Sequence, residues 1–535
     1  MQTERRPVGC LEFVAVIVLI AAAFLPRVRD LDAPFDREFE GAQGAFFTIA
    51  AINYDRLGVG AFGGYPVLNI DLDETRPDTW YTYENHPPTV PLFTLAGLRV
   101  LGPLDWNERY GTRGAEWAVR VPFLVLHFFF LLAFWWMLRE ASDGVSALLG
   151  LLVAAALPVL TIYAPLANYE TPALLALALA YGSYARLVRW GKTPDLVALL
   201  VFFALGGVVT WAPLFFVPPL AVHAWRRVGL ANGARLGALC AAATLVPLVL
   251  HTALARSALA AIGREPAGLD DRAQALLEPL FSGAHPPTEW LALQVERLWA
   301  WCSPLALGLA AVGLVLAAFE TRRNRERRDT PIGVLWLCGG ATYLFAFYRH
   351  TLDAQHTFLM LVAPAIAVLA GRALAKPISL WVKGSVGAIV ASVATATVVV
   401  LALQRTDDFR YRFRAQENAP SRAGVAAPEL PPMDKLGFEL RSLTPAGSFV
   451  VFPEALGLNY AAYYYAWRTL WPIRSPDDTL PFAVAKRFLP NGSMLLVLPK
   501  SVPASARESV EALRARYCTG EPVRESANFT AWPLD

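Results

Sequence analysis

Apolar runs of membrane-spanning length recur along this chain, and they constrain its fold more than any other feature. A helix needs about 20 mostly apolar residues to cross a bilayer. Runs of this kind cover 11–26, 116–138, 144–163, 171–188, 194–210, 211–225, 234–254, 301–319, 331–348, 357–374 and 379–403. In hydrocarbon a segment must satisfy its own backbone N–H and C=O groups, so such runs form helices. Composition agrees: of 535 residues 55% are hydrophobic and 17% charged, and the mean hydropathy is +0.40. Soluble chains carry about 25% charged residues, which argues against a purely soluble enzyme. A formal net charge of +3 is too small to argue for a nucleic-acid partner. The five cysteines show no paired spacing, which points away from a zinc site or a disulfide framework.

Orientation follows from where Lys and Arg collect, because cytoplasmic loops are enriched in them. The clusters are Arg5–Arg6, Arg186 with Arg189 and Lys192, Arg226–Arg227 with Arg235, the run from Arg322 to Arg328, and Arg372 with Lys376. All fall on one side when the N-terminus is cytoplasmic and about eleven spans are counted. One kinked helix over 194–225 would put its flanking basic clusters on opposite faces. Two crossings broken near Thr210-Trp211-Ala212-Pro213 keep them together. The first apolar segment follows Arg5–Arg6 as a signal peptide would, and is expected to be a retained anchor.

The expected fold class is therefore an α-helical polytopic membrane protein of about eleven transmembrane helices, with a small C-terminal α/β domain. Residues 1–404 form the transmembrane part, with a first extracytoplasmic loop over 27–114 carrying interfacial helices. Residues 405–535 form the outer domain, in which Ser448–Pro453 and Met494–Pro499 have strand character and Pro503–Tyr517 that of an amphipathic helix.

The first outer loop is the richest in chemistry. It holds 13 Asp/Glu against 8 Lys/Arg, a balance suited to the non-cytoplasmic face. It opens with Phe35-Asp36-Arg37-Glu38-Phe39-Glu40-Gly41, continues through an amphipathic stretch Gln43–Tyr54, and reaches Tyr83-Glu84-Asn85-His86-Pro87-Pro88 before the apolar stretch Val90–Leu101. Carboxylates at a membrane surface sit in reduced dielectric, where their pKa rises and they can act as general bases. Asp36, Glu38 and Glu40 fit that description, and they equally fit a solvated acidic face or the start of a helix.

A short acidic motif after the first span, an amphipathic helix and an Asn-His-Pro-Pro entry to the next apolar helix together resemble the C-type (GT-C fold) glycosyltransferases. Most similar are the protein O-mannosyltransferases and the lipid A aminoarabinose transferases. Glu116-Trp117-Ala118-Val119-Arg120-Val121-Pro122 resembles their Arg-Leu-Pro entry to the second span, and Pro158, Tyr163 and Glu170 their third-to-fourth-span turn. The likeness covers residues 10–375. It implies a membrane glycosyltransferase of the bacterial inner (plasma) membrane, with the C-terminus extracytoplasmic and a polyprenyl-phosphate-linked sugar as donor. It also implies inverting displacement, with Asp36 or Glu38 as the carboxylate base. Where those families often carry adjacent Asp-Glu this chain has Asp36-Arg37-Glu38, so both carboxylates stay candidates. The Lys that many relatives carry near the fifth span is replaced by Val209-Thr210-Trp211-Ala212-Pro213, and a phosphate-binding role there does not carry over.

Donor phosphate would need cations. Arg349 and His356 bracket a short outer loop, where a guanidinium fork suits a phosphate and an interfacial snorkelling role fits equally. Arg256, Arg264, Arg272 and Arg297 are weaker candidates of the same kind. His86 is either a donor-phosphate ligand or a turn histidine ahead of two prolines. Glu40, Glu84 and Glu170 are expected to hold sugar or acceptor, Glu170 being also a helix N-terminal charge. No cofactor is expected to be required, and a divalent metal is possible but not indicated. The acceptor is a lipid, a glycan or a protein hydroxyl. The competing readings are a secondary transporter, which usually shows two related halves, and a non-catalytic membrane scaffold of the same fold.

Overall fold

The computed structural model describes residues 10–29, 31–35, 39–61, 63–70, 80–83, 85–102, 111, 114–261, 278, 286–323, 331–352, 356–381, 432–488, 493–502 and 507–534. The first helices are α1 (Cys10–Phe24), α2 (Phe39–Leu57), α3 (Thr89–Leu101), α4 (Glu116–Ala141), α5 (Gly144–Ala156) and α6 (Pro158–Ile162). They are followed by α7 (Glu170–Trp190), α8 (Thr193–Val209), α9 (Ala212–Val228), α10 (Leu230–Ala261), α11 (Pro287–Cys302) and α12 (Pro304–Arg323). Then come α13 (Ile332–Ala346), α14 (Tyr348–Leu352), a 3-10 turn His356–Leu361 and α15 (Ala363–Trp381).

Each apolar run from 11–26 to 357–374 contains helix, and the expected break near Thr210-Trp211 separates α8 from α9. The last run begins inside α15 and continues beyond the described residues. Among the described residues, α4, α7 and α10 are long and apolar enough to cross a membrane. A fourth candidate is the pair α11 and α12, bent by 109°. The bend falls at Ser303, whose φ of 69° lies in the left-handed region, just ahead of Pro304. Shorter apolar helices include Glu12–Phe24, Gly144–Ala156, Thr193–Val209 and Ile332–Ala346.

Backbone contacts divide the chain into two compact units. The first comprises Met1–Arg29, Phe123–Ala253 and Ala267–Arg410. Within it α15 packs on α5, α12 and α13, while α7 packs on α8, and α9 on α13. Ion pairs join helix ends: Arg139 donates to Glu12 at 2.8 Å, and Arg186 to Asp195 at 2.7 Å across the turn between α7 and α8.

The second unit comprises Asp30–Pro122, Leu254–Pro266 and Tyr411–Asp535. Its C-terminal part runs α16 (Met433–Leu443), β1 (Phe449–Pro453), α17 (Tyr460–Ala466), β2 (Thr469–Ile473), α18 (Leu480–Phe488), β3 (Met494–Pro499), α19 (Arg507–Tyr517), β4 (Arg524–Glu525) and β5 (Phe529–Pro533). The strands form one sheet in the order β2-β1-β3-β5-β4. β1 is parallel to β2 and β3, and β5 antiparallel to β3 and β4. The core beneath it joins Phe449, Val451, Leu496 and Leu498 to Val510 and Leu513 of α19. The expected boundary at 404/405 lies outside the described residues. The segment 30–122 and the C-terminal sheet region belong to one unit, although about 300 residues of chain separate them.

In that unit α2 packs on α3 and α17. The chain after α2 is held by side chains of the helix itself. Asn53 Nδ2 donates to the carbonyls of Val67 (2.6 Å) and Asn69 (2.8 Å), and the Tyr54 hydroxyl donates to Gly64 O at 2.6 Å. An isolated antiparallel bridge pairs Val67 with Thr82, and Tyr65, Val67 and Trp80 cluster with Ala255 and Leu259 at the end of α10.

Candidate functional site

Asp36, Glu38 and Glu84 lie outside the described residues, as do the side chains of Glu40, Arg349 and His356. Among the described residues nearby in sequence, Phe35, which precedes Asp36, has the most fully defined contacts. Phe35 is buried to 1% exposure, and its backbone N–H donates to the Tyr465 hydroxyl at 2.9 Å. That hydroxyl in turn donates to Oε1 of Glu116 at 2.5 Å, while Oε2 of Glu116 accepts from the N–H of Gly114 at 2.6 Å. Both Glu116 oxygens are thus engaged in a fully buried setting, and the residue holds structure rather than offering a free base. Arg120, one turn further along α4, donates to the carbonyls of Leu31 (2.8 Å) and Ala33 and lies over the Phe35 ring at 5.5 Å from its centroid.

This arrangement gives the Glu116–Pro122 motif a physical meaning. At the i and i+4 positions of the first helical turns, Glu116 and Arg120 share a face and together brace the segment leading into the acidic motif. Aromatic packing completes the brace: Phe35 meets Tyr464 edge-on at 5.5 Å and Tyr465 at 6.4 Å. α2 passes over Phe35 at Gly44, where an added Cβ would come within 2.8 Å of the ring. Burial and the nearby Glu116 carboxylate push the Tyr465 phenol well above the ordinary tyrosine range, which keeps it a neutral donor and acceptor.

His86 is held rather than loose. Its Nδ1 lies 2.8 Å from the Tyr83 hydroxyl, and the two rings stack with centroids 6.0 Å apart. Tyr83 packs edge-on against Phe46 of α2, which packs likewise on Tyr460 of α17. An aromatic row therefore runs from His86 through Tyr83 and Phe46 to Tyr460 of α17. Pro87 and Pro88 then lead into α3, so the turn role is present whatever else the imidazole does.

In the first unit, Glu170 is the first residue of α7 and is buried. The preceding Asn168 caps that helix: its Oδ1 accepts from Thr171 N at 2.7 Å, and its Nδ2 donates to Tyr163 O at 3.1 Å. Tyr163 packs on Trp301 with centroids 5.0 Å apart, so the Pro158–Glu170 motif builds a rigid turn.

The backbone beside Arg349 is similarly knotted. Trp290 Nε1 donates to Thr351 Oγ1 (2.8 Å), Gln294 Nε2 donates to Thr351 O (2.9 Å), and Arg297 donates to the same carbonyl. Arg297, expected as a weak phosphate candidate, is buried and brings its charge to this loop as an anchor. Trp290 also stacks on Tyr348 at 5.2 Å. Among the described residues no group of three or more His, Cys, Asp or Glu side chains could hold a metal ion.

Sequence reasoning missed Tyr465 and the bracing role of Arg120. The tyrosine-rich run Tyr460–Tyr465 was visible, but no local pattern connects it to a loop more than 400 residues upstream.

No family model matches the chain, and no match is found among curated proteins. Solved structures resemble it in fold. ArnT from Cupriavidus metallidurans bound to undecaprenyl phosphate has a TM-score of 0.60 at 13% identity, covering 98% of each chain. The oligosaccharyltransferase AglB from Archaeoglobus fulgidus, in complex with an inhibitory peptide and a dolichol-phosphate, has a TM-score of 0.56 at 10% identity, covering 92% of this chain and 69% of that one. The Archaeoglobus fulgidus oligosaccharyltransferase in the apo form gives 0.54 at 10% identity over 91% and 69%. At such identities the likeness is one of fold: this chain has the GT-C fold expected from its sequence.

Proposed function

We propose that this protein is an integral-membrane glycosyltransferase that moves a sugar from a polyprenyl-phosphate carrier to a lipid, glycan or protein acceptor at the outer face of the bacterial inner membrane. The observation that carries this reading is the fold match, over 98% of each chain, to a structure bound to undecaprenyl phosphate. A lipid-linked donor gives the helices a purpose, because the lipid tail stays in the bilayer while the phosphosugar reaches the surface. About eleven spans, a cytoplasmic N-terminus and an extracytoplasmic C-terminus place the first loop on the side where the acceptor arrives.

The reaction is an inverting displacement. An acceptor hydroxyl or amine attacks the anomeric carbon, its proton passes to a carboxylate, and the polyprenyl phosphate leaves with the bonding electrons. Asp36 is the preferred base, directly after the braced Phe35, and Glu38 the second. Arg349, His356 and His86 take the phosphate side; Glu40, Glu84 and Glu170 take sugar or acceptor hydroxyls. No cofactor is required in this scheme, since the leaving group is already a phosphate and the base is a side chain.

Undecaprenyl phosphate binding to the detergent-solubilised protein, followed by native mass spectrometry, tests the donor half. The wild type should retain the lipid, and Arg349→Ala should weaken its binding by roughly 1.5–3 kcal/mol, the worth of a charge-assisted phosphate contact. A wild type that retains no polyprenyl phosphate, while proteoliposomes take up a free solute, would favour the transporter instead.

A further inference from the structure

Tyr465 joins three segments that are far apart in sequence. Its hydroxyl accepts from the amide of Phe35 at 2.9 Å and donates to Glu116 at 2.5 Å, and Glu116 passes the chain of bonds to Gly114 at 2.6 Å. Phe35, Glu116 and Tyr465 are each no more than 1% exposed. No water competes in such a setting, so each bond is fixed in place, and removing one partner leaves a buried group unsatisfied. We propose that Tyr465 is a positioning residue for turnover, through which the C-terminal region fixes the chain entering the first-loop acidic motif. This rests on the reading that Asp36 or Glu38 supplies the base.

The bond anchors the backbone of Phe35, the last described residue before the acidic motif in the sequence. A base has to be held to within a fraction of an ångström of the acceptor, and a misplacement of about 1 Å costs about 100-fold in rate. Packing against the edge-on Tyr464 and tilted Tyr465 rings does not by itself fix the direction of the Phe35 amide; the phenol oxygen does. The phenol is suited to the task because it can accept from the amide and donate to the carboxylate at once, and burial keeps it neutral. Through Tyr465 the C-terminal region therefore acts on the chemistry by positioning the chain that carries the base.

Tyr465→Phe isolates the oxygen, since it keeps the ring contacts to Phe35, Tyr464 and Phe438. The full-length protein is reconstituted with undecaprenyl phosphate carrying labelled mannose or aminoarabinose, with cell-envelope lipid and glycan as acceptors, and released undecaprenyl phosphate is followed. Tyr465→Phe should lower kcat by about 10–100-fold with the donor KM within about threefold, and hydrogen exchange should accelerate at residues 31–35. In an Asp36→Asn/Glu38→Gln background the same change should cost nothing further, because no base remains to be positioned. An equal loss in both backgrounds, or wild-type kcat in Tyr465→Phe beside a slow Asp36→Asn/Glu38→Gln protein, overturns this proposal alone. Wild-type turnover in Asp36→Asn/Glu38→Gln overturns the carboxylate reading beneath it. Should Tyr465→Phe fail to fold, Glu116→Gln carries the test from the other end of the chain, with the same split between kcat and KM expected.

Discussion

A buried phenol between an amide and a carboxylate makes the region around Phe35 sensitive to alkali in a definite way. Tyr464 and Tyr465 are both buried, and burial, reinforced by Glu116, pushes both phenols well above the ordinary tyrosine value. A raised folded-state pKa means the neutral form is favoured by folding. The corresponding stability is fully present below the unfolded value of about 10 and is lost as pH rises through and beyond it. Followed by phenolate absorbance, these tyrosines should ionise only together with loss of near-ultraviolet circular dichroism. Smooth ionisation near pH 10 with tertiary structure intact would show that they are not buried as described. Residue roles of this kind were only partly legible: Glu116 and Arg120 stood out through their motif, but the sequence could not say that they brace Phe35. Their distant partners are the carbonyls of Leu31 and Ala33 and the hydroxyl of Tyr465, none of which leaves a local pattern.

Elements tell the same story one level up. Apolar runs long enough for helices were legible throughout, because burial in lipid or protein demands them. β1 and β3 were legible as well, being continuous apolar runs at the centre of a sheet covered on both sides. β2 was not: it contains Pro472, which is tolerated there because β2 is an edge strand. Close helix crossings were equally hidden. At Gly97 of α3 an added Cβ would meet the carbonyl of Ala118 and lie 2.7 Å from Pro122 Cγ, both on the first turns of α4. Gly97→Ala should therefore cost about 1–3 kcal/mol through overpacking and loosen the turn that carries Arg120. Gly308→Ala in α12 meets nothing within 4 Å and should be neutral or stabilise by up to about 1 kcal/mol. Thermal unfolding of the two variants checks this. Equal melting temperatures would contradict a close α3–α4 crossing.

At the scale of the whole molecule, the segment 30–122 and the C-terminal sheet region share one compact unit, interrupted by the helical stretch. The Lys/Arg distribution and span count predict both on one side, but not that they pack together, because that pairing is carried by Tyr465, Tyr460 and Phe46 rather than by any sequence repeat. Membership of one unit and the positive-inside distribution make a joint topological prediction. Single cysteines at 60–80 and at 440–520 should be labelled from outside intact cells, and those at 322–328 only after permeabilisation. Outside labelling at 322–328 would overturn the orientation and every site assignment built on it. The central claim, that the protein consumes a polyprenyl-phosphate-linked sugar, is tested most directly by the release of undecaprenyl phosphate from labelled donor in proteoliposomes. The wild type should release it in step with transfer of sugar to envelope acceptors, and Asp36→Asn/Glu38→Gln should slow that release by about 10²–10⁴-fold while still binding donor. Absence of release by the folded wild type with every donor sugar and acceptor offered, or release unchanged in the double variant, would contradict the account.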